Sequence, residues 1–229
     1  MRKFTRALTA AAALTAASAV MAQEAANTVA VGYVRALFND SSSDLTGPPG
    51  TTPPGLKVGI EDLNALGLLY ARRLGGGWSA IFQFGVPSTV SYVGAGSGAM
   101  LGEAASAKGW TPALLVGYTF ESVPVVKPYL AAGAAYTWYT DEKASAAYNA
   151  AFFGTSTSAS FKSSFGPVAK VGAEVPLGSN WLFDFSYSYY WIKTTATLTT
   201  ATPGLGSVPR QIDVTANPGA LAFNVGYRF

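Results

Sequence analysis

Residues Trp181-Leu182-Phe183-Asp184-Phe185-Ser186-Tyr187-Ser188-Tyr189-Tyr190-Trp191 decide the fold. Taken every second position, the run gives Trp181, Phe183, Phe185, Tyr187, Tyr189 and Trp191; between them stand Leu182, Asp184, Ser186, Ser188 and Tyr190. Strict alternation marks a β-strand, because successive side chains on a pleated backbone point to opposite faces. One face is almost wholly aromatic. Ten steps at about 3.3 Å span roughly 33 Å, and a tilt near 40° reduces that to about 25 Å of height, the thickness of an outer-membrane apolar band. Aromatics then lie at both ends, where membrane–water interfaces favour them. The same run also suits a half-buried strand of a soluble sandwich or ligand-binding barrel, and the rest of the chain must decide between them.

The 229-residue chain opens with Arg2, Lys3 and Arg6, followed by an apolar, alanine-rich run from Ala7 to Val20. Val20-Met21-Ala22 has small or aliphatic residues where a signal peptidase needs them, which predicts cleavage after Ala22. The run is too short for a transmembrane helix. A signal peptide over 1–22 and one outer-membrane β-barrel over 23–229 are therefore expected. The signal removes three of the 15 basic residues and none of the 12 acidic ones, leaving the mature chain 12 of each. No nucleic-acid partner is expected of such a balance. Cysteine is absent, so closure must come from something other than disulfides. Histidine is absent too, which removes the commonest general base and metal ligand. Neither a cofactor nor a metal is expected.

Seven further strand-like runs accompany the opening one: Val29 to Phe38, Asn64 to Leu74, Trp78 to Val86, Ala113 to Phe120, Pro128 to Thr140, Phe165 to Leu177 and Ile212 to Phe229. In the first, Tyr33 and Arg35 share a parity, so its outward face is undecided. Long connections at Asn39–Pro54, Pro87–Gly109, Asp141–Ser163 and Thr194–Pro209 alternate with short ones at Gly75-Gly76-Gly77, around Pro124, and at Gly178-Ser179-Asn180. Gly94, Gly96, Gly98 and Gly102 fit neither G-x-G-x-x-G nor the Walker pattern, and read as flexible loop. Short periplasmic turns and long extracellular loops are the asymmetry of an outer-membrane barrel. An eight-stranded interior is barely wide enough for side chains, and here aromatic-rich faces oppose faces built largely of Gly, Ala, Ser and Thr. The bulky face belongs in lipid, giving an all-β, eight-stranded antiparallel up-and-down transmembrane barrel.

Several motifs, in order, carry a likeness: Thr111-Pro112 leading to Tyr118-Thr119-Phe120; Lys127-Pro128-Tyr129-Leu130-Ala131-Ala132-Gly133 with Tyr136-Thr137; Asn180-Trp181-Leu182 ahead of Thr194-Thr195; and Val225-Gly226-Tyr227-Arg228-Phe229. Together they resemble the OmpW family over essentially the whole mature chain. The resemblance implies a barrel in the Gram-negative outer membrane, with a narrow, largely apolar lumen that passes small hydrophobic compounds and releases them sideways into the membrane through a gap in its wall. It also implies membrane lipids as partners, and recognition by the barrel-assembly machinery of the strand ending in Phe229. The chain departs from the family pattern at Pro218-Gly219, where relatives often have Pro-Trp, and at the polar inward positions Gln83 and Ser188.

Alternation places Arg73, Lys170, Glu174, Asp184 and Arg228 inside the barrel, mostly toward the short-turn end. Charges in a narrow lumen must be paired or wet, so a salt-bridged plug is favoured over a selectivity gate or proton path. Above it Leu69, Leu115, Tyr139, Val168 and Tyr190, with Gln83 and Ser188 among them, are the candidate ligand pathway. The expected function is passive uptake of small hydrophobic molecules. The alternative is a structural or surface-interaction barrel, an adhesin or phage receptor with a plugged lumen. An embedded hydrolase is not expected, since neither a Ser-His arrangement nor a clear Ser-Lys substitute is present.

Overall fold

A computed structural model describes residues 26–122 and 125–229. The expected signal peptide and Pro124 lie outside the described residues. In chain order the strands are β1 (Asn27–Phe38), β2 (Ser41–Ser42), β3 (Leu56–Ile60), β4 (Leu63–Gly75), β5 (Trp78–Gly85), β6 (Thr89–Gly96), β7 (Glu103–Trp110), β8 (Ala113–Thr119), β9 (Lys127–Ala144), β10 (Ser156–Phe161), β11 (Ser164–Pro176), β12 (Trp181–Tyr190), β13 (Lys193–Thr202), β14 (Gly206–Thr215) and β15 (Pro218–Arg228). One short helix, α1 (Ala146–Ala151), follows β9.

Eight of these strands close on themselves. The antiparallel ring runs β1-β4-β5-β8-β9-β11-β12-β15 and returns to β1, where Val31 faces Val225 and Tyr33 faces Phe223. Closure leaves the ring no free edge, which is what a sheet needs in a solvent that cannot hydrogen-bond its backbone. Large side chains point outward: Val31, Leu66, Phe82, Leu114, Leu130, Val171, Phe185 and Phe223 are all exposed on the protein's own surface. Tyr33 is exposed too, which fixes the face of β1; Arg35 shares it but pairs with Asp62 at 3.3 Å near the strand's extracellular end.

Aromatic rows mark the two ends of this apolar belt. Near the short turns, Trp78 meets Tyr118 edge-on at 5.2 Å and Trp181 meets Tyr227 at 5.1 Å. Near the opposite end, Trp110 stacks on Trp138 at 5.7 Å and Tyr189 meets Trp191 at 4.8 Å. These are the girdles that amphipathic rings form at headgroup level. The opening stretch therefore crosses the whole belt as β12.

The long connections depart from expectation. The glycine-rich segment read as flexible loop is a hairpin, β6–β7, with Gly96 and Gly102 taking the positive φ its turn requires. Thr194–Pro209 is a second hairpin, β13–β14, and the expected strand from Ile212 to Phe229 is two strands, broken at Asn217 with φ 35°. Upper β9 joins β7, β6 and β3 in one sheet, while β10, β13, β14 and β2 form another. Both sheets share an apolar core that includes Tyr92, Phe161, Leu198, Ile212 and Val214. Arg210, buried in this lobe, ties its parts together, donating to the Thr51 carbonyl at 2.9 Å and to Thr200 Oγ1 at 3.3 Å while lying 3.8 Å from the Phe152 ring.

Candidate functional site

Small inward residues leave room where barrel and lobe meet. A cavity of about 180 Å³ occupies that level, walled by Val34, Phe38, Leu63, Leu69, Ile192 and Ala220 and roofed by Tyr92. Burial, and then the neighbouring Tyr139, hold the Tyr92 phenol well above its usual pKa, so the roof is neutral. Gly85 faces open space there, since a Cβ built on it meets nothing within 4 Å. For scale, a dry cavity of roughly 150 Å³ lined by aliphatic and aromatic side chains accepts benzene.

The cavity also reaches the lipid side of the wall. Its lining includes inward Gly67 and Gly85, which face each other across β4 and β5, and outward Leu68, Phe84 and Val86. On its other flank β5 pairs with β8 only up to Gln83 opposite Ala113. Beyond that point Phe84–Ser88 and Gly109–Pro112 have no ladder between them, because β7 pairs with β6 and β9 instead. Pro112 could not donate to such a ladder in any case. The result is a stretch of wall without backbone hydrogen bonds, spanned by the Phe84 and Trp110 rings, whose centroids lie 5.8 Å apart.

The floor is polar and stepped. In the upper tier Lys170 Nζ donates to Gln83 Oε1 at 3.0 Å, and Gln83 Nε2 donates to Tyr190 Oη at 2.6 Å. An ammonium can only donate, so Lys170 fixes which way the Gln83 amide points. In the middle tier Asp184 accepts from Tyr129 Oη at 2.7 Å, Asn224 Nδ2 at 2.8 Å and, more weakly, Ser186 Oγ at 3.4 Å. Gly172 makes this crossing possible: a Cβ there would lie 2.5 Å from the Tyr129 ring. In the lowest tier Arg228 pairs with Glu174. Asp184 and Glu174 are directly opposite on β12 and β11, a repulsive arrangement that each relieves by turning to its own partner.

The expected charge cluster is thus arranged in three tiers, of which the lowest, Arg228 with Glu174, is a salt bridge. Lys170 and Asp184 are held chiefly by neutral partners, while Arg73 stands at the periplasmic end of β4 opposite Ser79. Of the expected pathway residues, Leu69, Gln83, Tyr139, Ser188 and Tyr190 line the cavity. Leu115 and Val168 do not; they are buried in a small apolar cluster with Ile81 and Ala131, against which Leu69 and Tyr190 pack. Tyr129 and Asn224 escaped notice as site residues, although each is a polar side chain on an inward face otherwise made of small residues. Lower still, a void of about 20 Å³ borders Tyr129, Asp184 and Glu174.

Comparison with known proteins places this geometry among its relatives. The family profile described as "OmpW family" matches residues 77–229. Outer membrane protein W of Vibrio cholerae is 32% identical over 135 residues, covering 56% of this chain and 56% of that protein; the counterpart from Salmonella typhi is 32% identical over 119 residues, 52% of each. The chain therefore spans about half the length of these curated relatives. Among solved structures, OprG from Pseudomonas aeruginosa superposes with a TM-score of 0.78 at 23% identity, covering 92% of this chain and 99% of that one. AlkL, determined in lipid bilayers, gives a TM-score of 0.62 at 21% identity over 92% and 94% of the two chains. These likenesses show the fold.

Proposed function

The chain belongs to the OmpW family of Gram-negative outer-membrane barrels, and from that premise we propose that it is a passive conduit for small hydrophobic molecules with sideways release into the bilayer. The observation that carries this reading is the cavity at the level of Gly85, walled mainly by apolar side chains, charged only at Lys170 in its floor, and lined at one flank by the outward-facing Leu68, Phe84 and Val86. A passenger leaving water for the cavity gains about 25 cal/mol for each Å² of apolar surface it buries, and it gains the same in lipid. Nothing then traps it, and the concentration gradient alone sets direction. The packed cluster of Ile81, Leu115, Ala131 and Val168, with the polar tiers of the lumen, opposes straight passage to the periplasm and leaves the unpaired stretch of wall beside Phe84 and Trp110 as the exit window. The lipid-facing strand β15, with Phe223, Val225 and Tyr227 outward, is the segment we assign to recognition by the assembly machinery.

The test is uptake into vesicles whose outer leaflet contains lipopolysaccharide, with octane as the probe. The barrel should accelerate uptake, and Gly85→Leu, which extends a side chain into open space, should slow it with no loss of folded protein. Uptake equal to that of protein-free vesicles removes the conduit. A surface-interaction role has one observation in its favour, the exposed Met100, Phe153 and Leu205 at three tips of the lobe. Replacing these by Ser would abolish cell attachment and spare octane uptake if that role were the main one.

A further inference from the structure

We infer that the cavity takes molecules bearing a carboxylate on an apolar body of about one-ring size, with the carboxylate seated on Lys170. The inference rests on the cavity being a ligand site, as proposed above. It begins from an imbalance in the floor. Lys170 is 5% exposed and borders the cavity, and its ammonium has three N–H groups to place. Gln83 Oε1 accepts one of them; the Tyr129 ring lies 5.9 Å from Nζ. Among the described residues no carboxylate stands within ion-pair distance of it, for Glu174 is taken by Arg228 and Asp184 is engaged by Tyr129 and Asn224.

Asp184 and Glu174 favour the buried ammonium only through space, and its contact partner is a neutral amide, so an anion brought to its remaining N–H groups makes a charge-assisted hydrogen bond that an alkane cannot. The surroundings suit such a group. Ser188 and Asn224 also line the floor beside Lys170, while Leu63, Leu69 and Ile192 line the walls above it. An apolar body therefore rests in the upper space with its acid end down. A purely apolar passenger meets the same walls and leaves the ammonium as it was. The cavity thus sorts passengers by their polar end.

The experiment is ¹⁹F NMR titration of 4-fluorobenzoate and 4-fluorotoluene, which share a ring and differ at the polar end, into the full barrel in lipid nanodiscs. Wild type should bind both. Lys170→Met should weaken 4-fluorobenzoate by about tenfold or more, the loss of one charge-assisted hydrogen bond, and change 4-fluorotoluene by less than about twofold. Lys170→Arg should keep benzoate binding. In wild type with ¹³Cε-labelled lysine, one buried lysine signal should shift with 4-fluorobenzoate and stay with 4-fluorotoluene, a readout independent of whether any variant folds. Binding of 4-fluorotoluene without 4-fluorobenzoate, or equal benzoate affinity in Lys170→Met, overturns the inference and leaves the conduit standing. Binding of neither probe overturns both.

Discussion

Replacing Asp184 by Ala should be among the most costly single changes in the barrel. The carboxylate is 4% exposed and accepts two short hydrogen bonds, from Tyr129 at 2.7 Å and Asn224 at 2.8 Å. A hydrogen bond to a charged group contributes about 1.5–3 kcal/mol, and both short bonds are lost together, so the loss should reach about 3–5 kcal/mol. Asp184→Asn should cost less, about 1–3 kcal/mol, because the new amide keeps one acceptor and Asn224 can turn its own amide to meet the other end. The assay is reversible urea unfolding of the barrel in lipid vesicles, followed by tryptophan fluorescence. Tyr129→Phe completes a double-mutant cycle, and the coupling with Asp184→Ala should be about 1.5–3 kcal/mol. A total cost below about 1 kcal/mol, or no coupling to Tyr129, would refute the account of the middle tier as a fully satisfied buried network.

Gly172→Ala should act on the same tier from the strand between Tyr129 and Asp184: its methyl would press on the Tyr129 ring and on the Phe185 carbonyl, displacing the phenol from Asp184 and costing about 1–3 kcal/mol in the same unfolding assay. In the lobe, the buried Tyr148 hydroxyl makes no well-formed hydrogen bond among the described residues, with only the Arg210 guanidinium acting on it, so Tyr148→Phe should be stabilising by about 1 kcal/mol. Burial pushes the Tyr148 phenol up to about 12, against the pull of Arg210, while an unfolded tyrosine ionises near pH 10. The folded state therefore keeps a proton that the unfolded state loses, and the contribution is intact below pH 10 and disappears as pH rises toward 12. Lobe stability measured by denaturant between pH 9 and 12 should fall more steeply in wild type than in Tyr148→Phe.

All eight wall strands were legible because lipid outside and a narrow lumen inside impose period two on each of them. The run from Trp181 to Trp191 showed it most plainly, and β12 ends one residue short of it. The lobe was harder to see. Val208, Arg210, Ile212 and Val214 alternate as clearly as any wall strand and are all buried, yet their threonine-rich partner strand reads as loop by composition. A change of course at Asn217 also lets one apparent strand serve two sheets; Asn217-Pro218-Gly219 is the turn signal that marks it. Within the site, parity found Lys170, Asp184 and Glu174 on the inner face, but parity carries no height. Which charge meets which partner depends on the stagger of neighbouring strands, and this sends Glu174 to Arg228 and Asp184 to Tyr129. Leu115 and Val168, inward by the same parity, pack in a small apolar cluster with Ile81 and Ala131 and do not reach the cavity lining.

The most direct test of the lateral route is to map where an apolar passenger travels. A small diazirine-bearing alkane, photoactivated while it equilibrates with the barrel in a bilayer, should label three groups in proportion: the cavity walls at Leu63, Leu69 and Ile192, the window at Phe84 and Leu68, and the general lipid face at residues such as Leu114 and Leu130. Gly85→Leu should reduce the first two and leave the third unchanged. Labelling confined to Leu114, Leu130 and the rest of the lipid face, with the cavity walls unmarked, would contradict the account.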